Sequence, residues 1–161
     1  MTERNQADAY NTANLASQLE ENGFYVSTTV GYSMWPMLKN RRDRIVLRAL
    51  EKGEVLKKGD VPLYCREADK KYILHRILRV EDGYYIIRGD NTFVLEKVPF
   101  DWVKGVLTEF YRKGKQVSVN KKSYRFYACV WQGIYPIRLI FFLTRRFLSK
   151  VKHKIFKSKK H

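Results

Sequence analysis

Three polar side chains in this sequence have the types and the order that nucleophilic catalysis requires. Ser33 follows a run rich in β-branched and aromatic residues and precedes Pro36, so its hydroxyl would lie on a constrained bend. His75 lies inside an apolar run and could take the serine proton, because a hydroxyl is a poor nucleophile without a base. Asp90, which follows Gly89, could orient the imidazole and stabilise its charged form. We therefore predict a hydrolytic site with Ser33 as nucleophile, His75 as base and Asp90 as the orienting carboxylate.

Each of these residues also has a purely structural interpretation. Ser33 could cap a short helical turn, His75 could be a hydrogen-bonded histidine of the core, and Asp90 could serve the turn chemistry of a Gly-Asp-Asn segment. The apolar residues beside the serine are open in the same way, since they could pack in the core or line a peptide groove. The residues that we assign to substrate binding are Met34, Trp35 and Met37.

The elements that must position these residues are mainly strands. Apolar patterning and turn residues predict strands at residues 24–30, 43–50, 61–65, 72–80, 84–88, 103–111 and 116–120. Two hairpins follow from this pattern, one over residues 72–88 and one over residues 103–120. A helix is predicted over residues 7–21, with Asn22-Gly23 as its end. The predicted fold is therefore mainly β, of the α+β kind, a coiled antiparallel sheet with an N-terminal helix and a C-terminal basic amphipathic helix.

Four short motifs, in this order, resemble those of the type I signal peptidase family. They are Ser33-Met34-x-Pro36, Lys58-Gly59-Asp60-Val61, Leu74-His75-Arg76-Ile77 and Gly89-Asp90-Asn91. The resemblance covers residues 24–110, and it is closest to the endoplasmic-reticulum and archaeal type, which carries histidine where bacterial members carry lysine. It implies a peptidase domain of the signal peptidase/LexA-like type that cleaves a leader or signal-like peptide after a small residue.

Two departures from the family pattern bear on this expectation. The resemblance implies that the backbone N–H of Ser33 supplies one oxyanion donor, while a second serine two places earlier often supplies another. Here that place is Gly31, so the second donor is missing or comes from elsewhere. Residues 1–22 are polar, and we expect neither a signal peptide nor the membrane anchor that signal peptidases usually carry there.

The positive charge of the chain is concentrated near its C-terminus. The formal net charge is +16, and residues 111–161 contain 15 Lys and Arg and no acid. Because apolar residues are interleaved with this charge, residues 126–160 predict a helix that lies on an anionic membrane surface, on the cytoplasmic face. A single C-terminal span is the alternative, with Arg138 inside it at a cost. No nucleic-acid partner is expected, since phosphate contact does not need so many apolar residues.

These patterns divide the chain into an N-terminal helix at residues 1–23, a catalytic domain at 24–120 and a basic tail at 121–161. The two cysteines and three histidines form no metal-ligand spacing, so we expect neither a metal nor a cofactor. The predicted function is a serine endopeptidase of the signal peptidase type. A cytoplasmic self-cleaving or regulatory peptidase of the same fold remains open, and so does an inactive membrane- or nucleic-acid-binding module. The oligomeric state is left open.

Overall fold

A computed structural model describes residues 15 and 17–144, and the chain divides into two compact units, Met1–Arg125 and Phe126–His161. Within the described residues, the first unit contains nine strands. In chain order they are β1 (Phe24–Thr28), β2 (Arg44–Ala49), β3 (Pro62–Arg66), β4 (Lys71–Leu74), β5 (Arg76–Glu81), β6 (Tyr84–Arg88), β7 (Glu96–Pro99), β8 (Val103–Arg112) and β9 (Lys115–Ser118). A short 3-10 helix, Phe100–Trp102, separates β7 from β8.

The nine strands form two antiparallel sheets. The larger sheet has the order β1-β2-β8-β3-β4, with β9 paired to β8, and the smaller sheet has the order β5-β6-β7. The prediction of a mainly β fold with a coiled antiparallel sheet and a few helices is confirmed. The predicted hairpin over residues 103–120 is β8 and β9.

The two sheets share one buried apolar cluster. Its members in the larger sheet include Tyr64 and Val106, and those in the smaller sheet include Ile77, Tyr85 and Ile87. Removing each large apolar side chain from water stabilises the fold by about 1.5–3 kcal/mol, which is why these positions are apolar in both sheets. The sheets therefore pack against each other across this cluster.

The predicted strand over residues 72–80 is two strands in the structure. β4 pairs with β3 in the larger sheet, β5 pairs with β6 in the smaller one, and His75 lies between them. The chain thus changes sheets at His75. The sequence did not indicate the break, because apolar residues stand on both sides of the histidine and give no change of period.

β7 was missed by the sequence prediction. It has only four residues, and it includes Lys97 and a proline, Pro99, which has no N–H for a ladder hydrogen bond. β7 pairs with β6 alone, at the edge of the smaller sheet, where such a composition is tolerated.

The predicted N-terminal helix lies partly outside the described residues. Residues 15 and 17–22 are helical, and we label this segment α1. Its predicted end at a glycine is confirmed, because Gly23 has a φ of 74° and its N–H donates to the Leu19 carbonyl at 3.0 Å. Leu19 is buried beside Gly105 of β8, where a glycine leaves space for it.

Two helices follow the sheets, α2 (Lys122–Gly133) and α3 (Tyr135–Thr144), and they are bent by 47° at the break between them. Among the described helices, none alone is long and apolar enough to cross a membrane, although this bent pair meets the length and composition criteria together. Four large apolar side chains of the second unit are 63–73% exposed: Phe126, Ile137, Ile140 and Phe141. Residues 145–160 of the predicted basic helix lie outside the described residues.

Candidate functional site

The turn that carries Ser33 connects β1 to β2 and is held from several sides. Gly31 has a φ of 105°, a conformation that favours glycine. A serine at position 31, where the family motif often has one, would be strained in this turn. At the end of β8, the Arg112 guanidinium donates to the carbonyl oxygen of Pro36 at 2.7 Å and also to that of Met37. These contacts fix the turn on which the half-buried Ser33 lies.

Ser33 and His75 converge on one glycine. A Cβ atom built on Gly89 would lie 2.7 Å from the Ser33 carbonyl oxygen and 2.9 Å from His75 Nε2, so any larger residue would force them apart. The N–H of Asn91 donates to the same Ser33 carbonyl at 2.7 Å. In the described part of the chain, no hydrogen bond joins the Ser33 hydroxyl to His75, and their predicted pairing stays a prediction.

The opposite nitrogen of His75 is held by two groups, the partly buried Glu96 and the buried Tyr64. Nδ1 lies 2.9 Å from Glu96 Oε1 and 3.3 Å from the hydroxyl of Tyr64, which itself donates to Glu96 Oε2 at 3.0 Å. Glu96 begins β7 and Tyr64 lies in β3, so both sheets contribute to this contact. The imidazole is thereby fixed on its Nδ1 side.

The proton positions on these three groups follow from counting donors. The hydrogen bond from His75, followed by its charge, lowers the pKa of Glu96 against the opposing effect of burial, so the carboxylate only accepts. Tyr64 has one hydroxyl proton, and it points to Glu96 Oε2. Nδ1 must therefore carry the proton that it shares with Glu96 Oε1. In the neutral ring, the lone pair is then on Nε2, which faces the Ser33 side.

The prediction that Asp90 orients the imidazole is wrong. Both of its carboxylate oxygens accept hydrogen bonds from Arg76, from Nε at 2.8 Å and from Nη2 at 2.7 Å, and both residues are buried. A guanidinium fork matches a carboxylate in two places, and a buried charge requires such a partner. Glu96 takes the place at His75 Nδ1 that was assigned to Asp90.

The guanidinium of Arg76 is fully satisfied. Besides Asp90, Nη1 donates to the Gly59 carbonyl at 2.9 Å and to the Tyr124 hydroxyl at 3.0 Å, while Nη2 donates to the Met37 sulfur at 3.1 Å. All five N–H groups of the side chain are used. Burial works to lower the pKa of Arg76, but the hydrogen bonds and charge of Asp90 outweigh it and raise the pKa.

The three residues assigned to substrate binding have different surroundings. Met34 is buried and lines a cavity beside Ser33, and Trp35 is 44% exposed on the same turn. Met37 is buried, and its sulfur accepts hydrogen bonds from Arg76 and from the Tyr124 hydroxyl at 3.2 Å. Of the two interpretations open for Met37, core packing is therefore the one that the structure supports.

The cavity beside Ser33 has a volume of about 280 Å³. Its lining includes Tyr25 and Thr28 of β1 and Tyr72 and Leu74 of β4. These strands are the first and last of the larger sheet's strand order, so the sheet curls until its two edges border one cavity. An extended segment could lie along either edge strand with a side chain in the cavity.

Neither Glu96 nor Tyr64 was among the predicted site residues. Glu96 gave no local signal because its strand was not predicted, and Tyr64 in an apolar strand is typical of a core tyrosine. The available signal was indirect: a buried histidine that acts as a base needs a carboxylate, and Glu96 was a second acid close behind Asp90 in the sequence.

Neither a metal site nor a matching protein supplies a function directly. Within the described residues, no group of three or more His, Cys, Asp or Glu side chains could hold a metal ion. No protein-family model matches the chain, and no curated protein matches it.

Breaking the buried ion pair should be costly. We expect Asp90→Asn to lower the free energy of unfolding by about 3–5 kcal/mol, because it leaves the Arg76 charge buried without a counter-charge. The matched control is Glu54→Gln, which breaks a pair with Arg48 whose side chains are 22% and 40% exposed, and it should cost less than about 1 kcal/mol. Urea denaturation measures both, and equal losses would contradict the prediction.

The lowered pKa of Glu96 predicts a pH dependence of stability. Because the folded-state pKa lies below the ordinary value of 4.5, the carboxylate stabilises the fold above that pH and loses this contribution as the pH falls through the folded-state value. Glu96→Gln should therefore destabilise the protein at about pH 7 and destabilise it less at about pH 3. Urea denaturation of both proteins at the two pH values measures this, and a pH-independent difference would contradict it.

Proposed function

We propose that this protein is a serine endopeptidase of the signal peptidase type, with Ser33 as nucleophile, His75 as base and Glu96 as the residue that orients the base. The observation that carries the proposal is the approach of the Ser33 turn and His75 Nε2 to Gly89, while Nδ1 is bound by Glu96. The four family-like motifs and the curled antiparallel sheet support it. The substrate is a leader or signal-like peptide.

The chemistry needs one proton to move twice. His75 Nε2 takes the Ser33 hydroxyl proton as the oxygen attacks the peptide carbonyl carbon, and the imidazolium then gives it to the leaving amine. Glu96 stabilises the imidazolium through the Nδ1–H hydrogen bond. In the second half of the reaction, His75 takes a proton from a water molecule that attacks the acyl-Ser33 ester, and it returns this proton to the Ser33 oxygen as the peptide acid leaves. The Ser33 hydroxyl must turn toward Nε2, and catalytic hydrogen bonds commonly tighten only when substrate binds.

The negative charge on the attacked oxygen needs hydrogen-bond donors. Among the hydrogen bonds of the described residues, none uses the N–H of Ser33, so it is available for this role. The hydroxyl of Thr29 is not a second donor, because it lies 3.2 Å from the Lys39 carbonyl and 3.3 Å from the Asp43 carbonyl. With glycine at position 31, the site has a weaker oxyanion hole than the family pattern, and slow turnover is expected.

An extended peptide is the substrate form that suits the cavity. β1 and β4 end the strand order of the larger sheet, so each has an edge at which a peptide backbone can add as a further strand. The cavity beside them, about 280 Å³ in volume, could receive a side chain of such a peptide, and its lining includes Met34 and Leu74. Because Ser33 also lines this cavity, the arrangement favours a peptide with an apolar side chain near the bond that is cleaved.

We propose in addition that residues 126–160 bind the protein to an anionic membrane surface as a peripheral protein, with a single span as the alternative. The exposed apolar side chains of the second unit, among them Ile137, Ile140 and Phe141, could enter the headgroup boundary. The basic residues of this region would each add roughly 1 kcal/mol near anionic lipid. The bent pair of α2 and α3 meets the length and composition criteria for a span only when both helices are taken together, which is why a single span is the alternative.

Loss of the serine hydroxyl should abolish cleavage. We expect Ser33→Ala to lower kcat/KM by at least about a thousandfold on peptides that carry small residues before the scissile bond. The thermal midpoint should not change, because this hydroxyl makes no hydrogen bond among the described residues. Ser118→Ala, at a half-buried serine of β9, is the matched control and should cleave normally. Equal cleavage by the Ser33→Ala variant, or no cleavage by the unaltered protein, contradicts the proposal.

Membrane binding should depend on the second unit. Vesicles containing anionic lipid should bind the full chain, neutral vesicles should bind it less, and salt should weaken the binding only in part. The comparison chain should end after Arg125 and not after the predicted boundary at residue 120, because Tyr124 packs in the first unit against Arg76 and Met37. Vesicle flotation measures this, and equal binding by both chains contradicts the assignment. Resistance to alkaline carbonate extraction would favour the spanning alternative.

A further inference from the structure

The hydroxyl of Tyr64 lies between the two residues that would hold and perform the proton transfer. It is 3.0 Å from Glu96 Oε2 and 3.3 Å from His75 Nδ1, and the tyrosine side chain has no exposed surface. The ring also meets the imidazole edge-on, with centroids 6.2 Å apart. Tyr64 therefore contacts both members of the His75–Glu96 pair from the buried side.

We propose that Tyr64 is a positioning residue that fixes the tautomer of His75. By giving its single proton to Glu96 Oε2, Tyr64 leaves only an oxygen lone pair for Nδ1, so the ring must keep its proton on Nδ1 and its lone pair on Nε2. Nε2 is the nitrogen that approaches Gly89 beside the Ser33 carbonyl. The inference rests on the proposed function, because it concerns the base of that reaction.

The hydroxyl can keep this proton because of where it is buried. Burial, followed by the charge of Glu96, raises the pKa of Tyr64 above its usual range, so the phenol stays protonated at the pH at which a histidine base works. Arg66 also contacts Glu96, with its Nη1 3.8 Å from Oε2. The Arg66 side chain is itself oriented by a hydrogen bond from its Nε to Asp69 Oδ1 at 2.9 Å. The carboxylate therefore has donors on both of its oxygens.

Without the tyrosine hydroxyl, two arrangements of the imidazole become possible. Glu96 Oε2 loses its 3.0 Å donor and retains only the longer contact with Arg66, so the carboxylate can rotate. Nδ1 then no longer has a fixed acceptor oxygen beside it. The ring can therefore also carry its lone pair on Nδ1 and its proton on Nε2. A population with the proton on Nε2 would be unable to accept the serine proton, and kcat would fall in proportion.

Tyr85 provides a matched control for the loss of a buried hydroxyl. Tyr64 and Tyr85 belong to the same apolar cluster, are 0% and 1% exposed, and each has a hydrogen-bonded hydroxyl. The Tyr85 oxygen accepts from the Leu56 N–H at 2.9 Å and makes no contact with His75 or Glu96 in the hydrogen bonds described for this part of the chain. Removing either hydroxyl should therefore cost similar stability, while only Tyr64 should affect the imidazole.

The test compares Tyr64→Phe, Tyr85→Phe and the unaltered full chain. Nitrogen NMR of ¹⁵N-histidine-labelled protein reports the tautomer, and His75→Gln identifies the His75 signals among those of the three histidines. We expect the Nδ1–H tautomer in the unaltered protein and in Tyr85→Phe, and a mixture in Tyr64→Phe. On a cleaved peptide, Tyr64→Phe should lower kcat about tenfold with KM nearly unchanged, and Tyr85→Phe should not. Thermal midpoints of the two variants should fall alike.

Two results would overturn the inference. One is an Nε2–H tautomer in the unaltered protein, which decides the matter even if Tyr64→Phe does not fold. The other is a Tyr64→Phe variant whose tautomer and kcat match those of Tyr85→Phe. Failure of the proposed function is distinguishable, because the tautomer can be measured in a protein that cleaves no peptide. If Tyr64→Phe changes the tautomer but no peptide is cleaved, the positioning role stands and the peptidase assignment fails.

Discussion

The buried ion pair between Arg76 and Asp90 is the contact on which the arrangement around Ser33 depends. Its guanidinium donates all five of its protons, and the acceptors belong to segments that are distant in sequence: Gly59, Asp90, Met37 and Tyr124. A lysine could not replace it, because an ammonium has three donors and no planar fork. One side chain thus fixes the relative positions of four segments inside a region that water does not reach.

The position of this pair in the chain explains its effect on the candidate site. Arg76 follows His75 directly, and Asp90 follows Gly89 directly, so each member of the pair is bonded to a residue of the convergence point. The change of sheets at His75 sends the two neighbours to different partners: the imidazole to Glu96 and Tyr64, the guanidinium to Asp90. Structural support and chemistry are therefore divided between adjacent residues, and substituting one perturbs the other through the backbone.

Much of this arrangement could be predicted from the sequence, because it follows from local patterns. Alternation, turn residues and the Gly-Asp-Asn segment predicted the strands near Ser33 and the second hairpin. The partner of His75 could not be predicted in the same way. Two carboxylates, Asp90 and Glu96, are close together in the sequence, and so are the two possible partners, His75 and Arg76. Only the packing of the two sheets decides that Glu96 contacts His75 and Asp90 contacts Arg76. β7 was missed for the related reason that its pairing with β6, and not its composition, makes it a strand.

Tyr124 gives the domain a defined order of completion. During synthesis, every other acceptor of the Arg76 guanidinium leaves the ribosome before Tyr124, because Met37, Gly59 and Asp90 all precede it in the chain. Until the first turn of α2 emerges, one N–H of the Arg76 guanidinium has no protein acceptor, and the Met37 sulfur has only one of its two donors, Arg76 Nη2. The last segment to join the core is also the first turn of the helix that leads into the basic unit. A chain that has been translated only as far as residue 123 therefore lacks one of the hydrogen bonds of the residue next to His75, and Tyr124 supplies it.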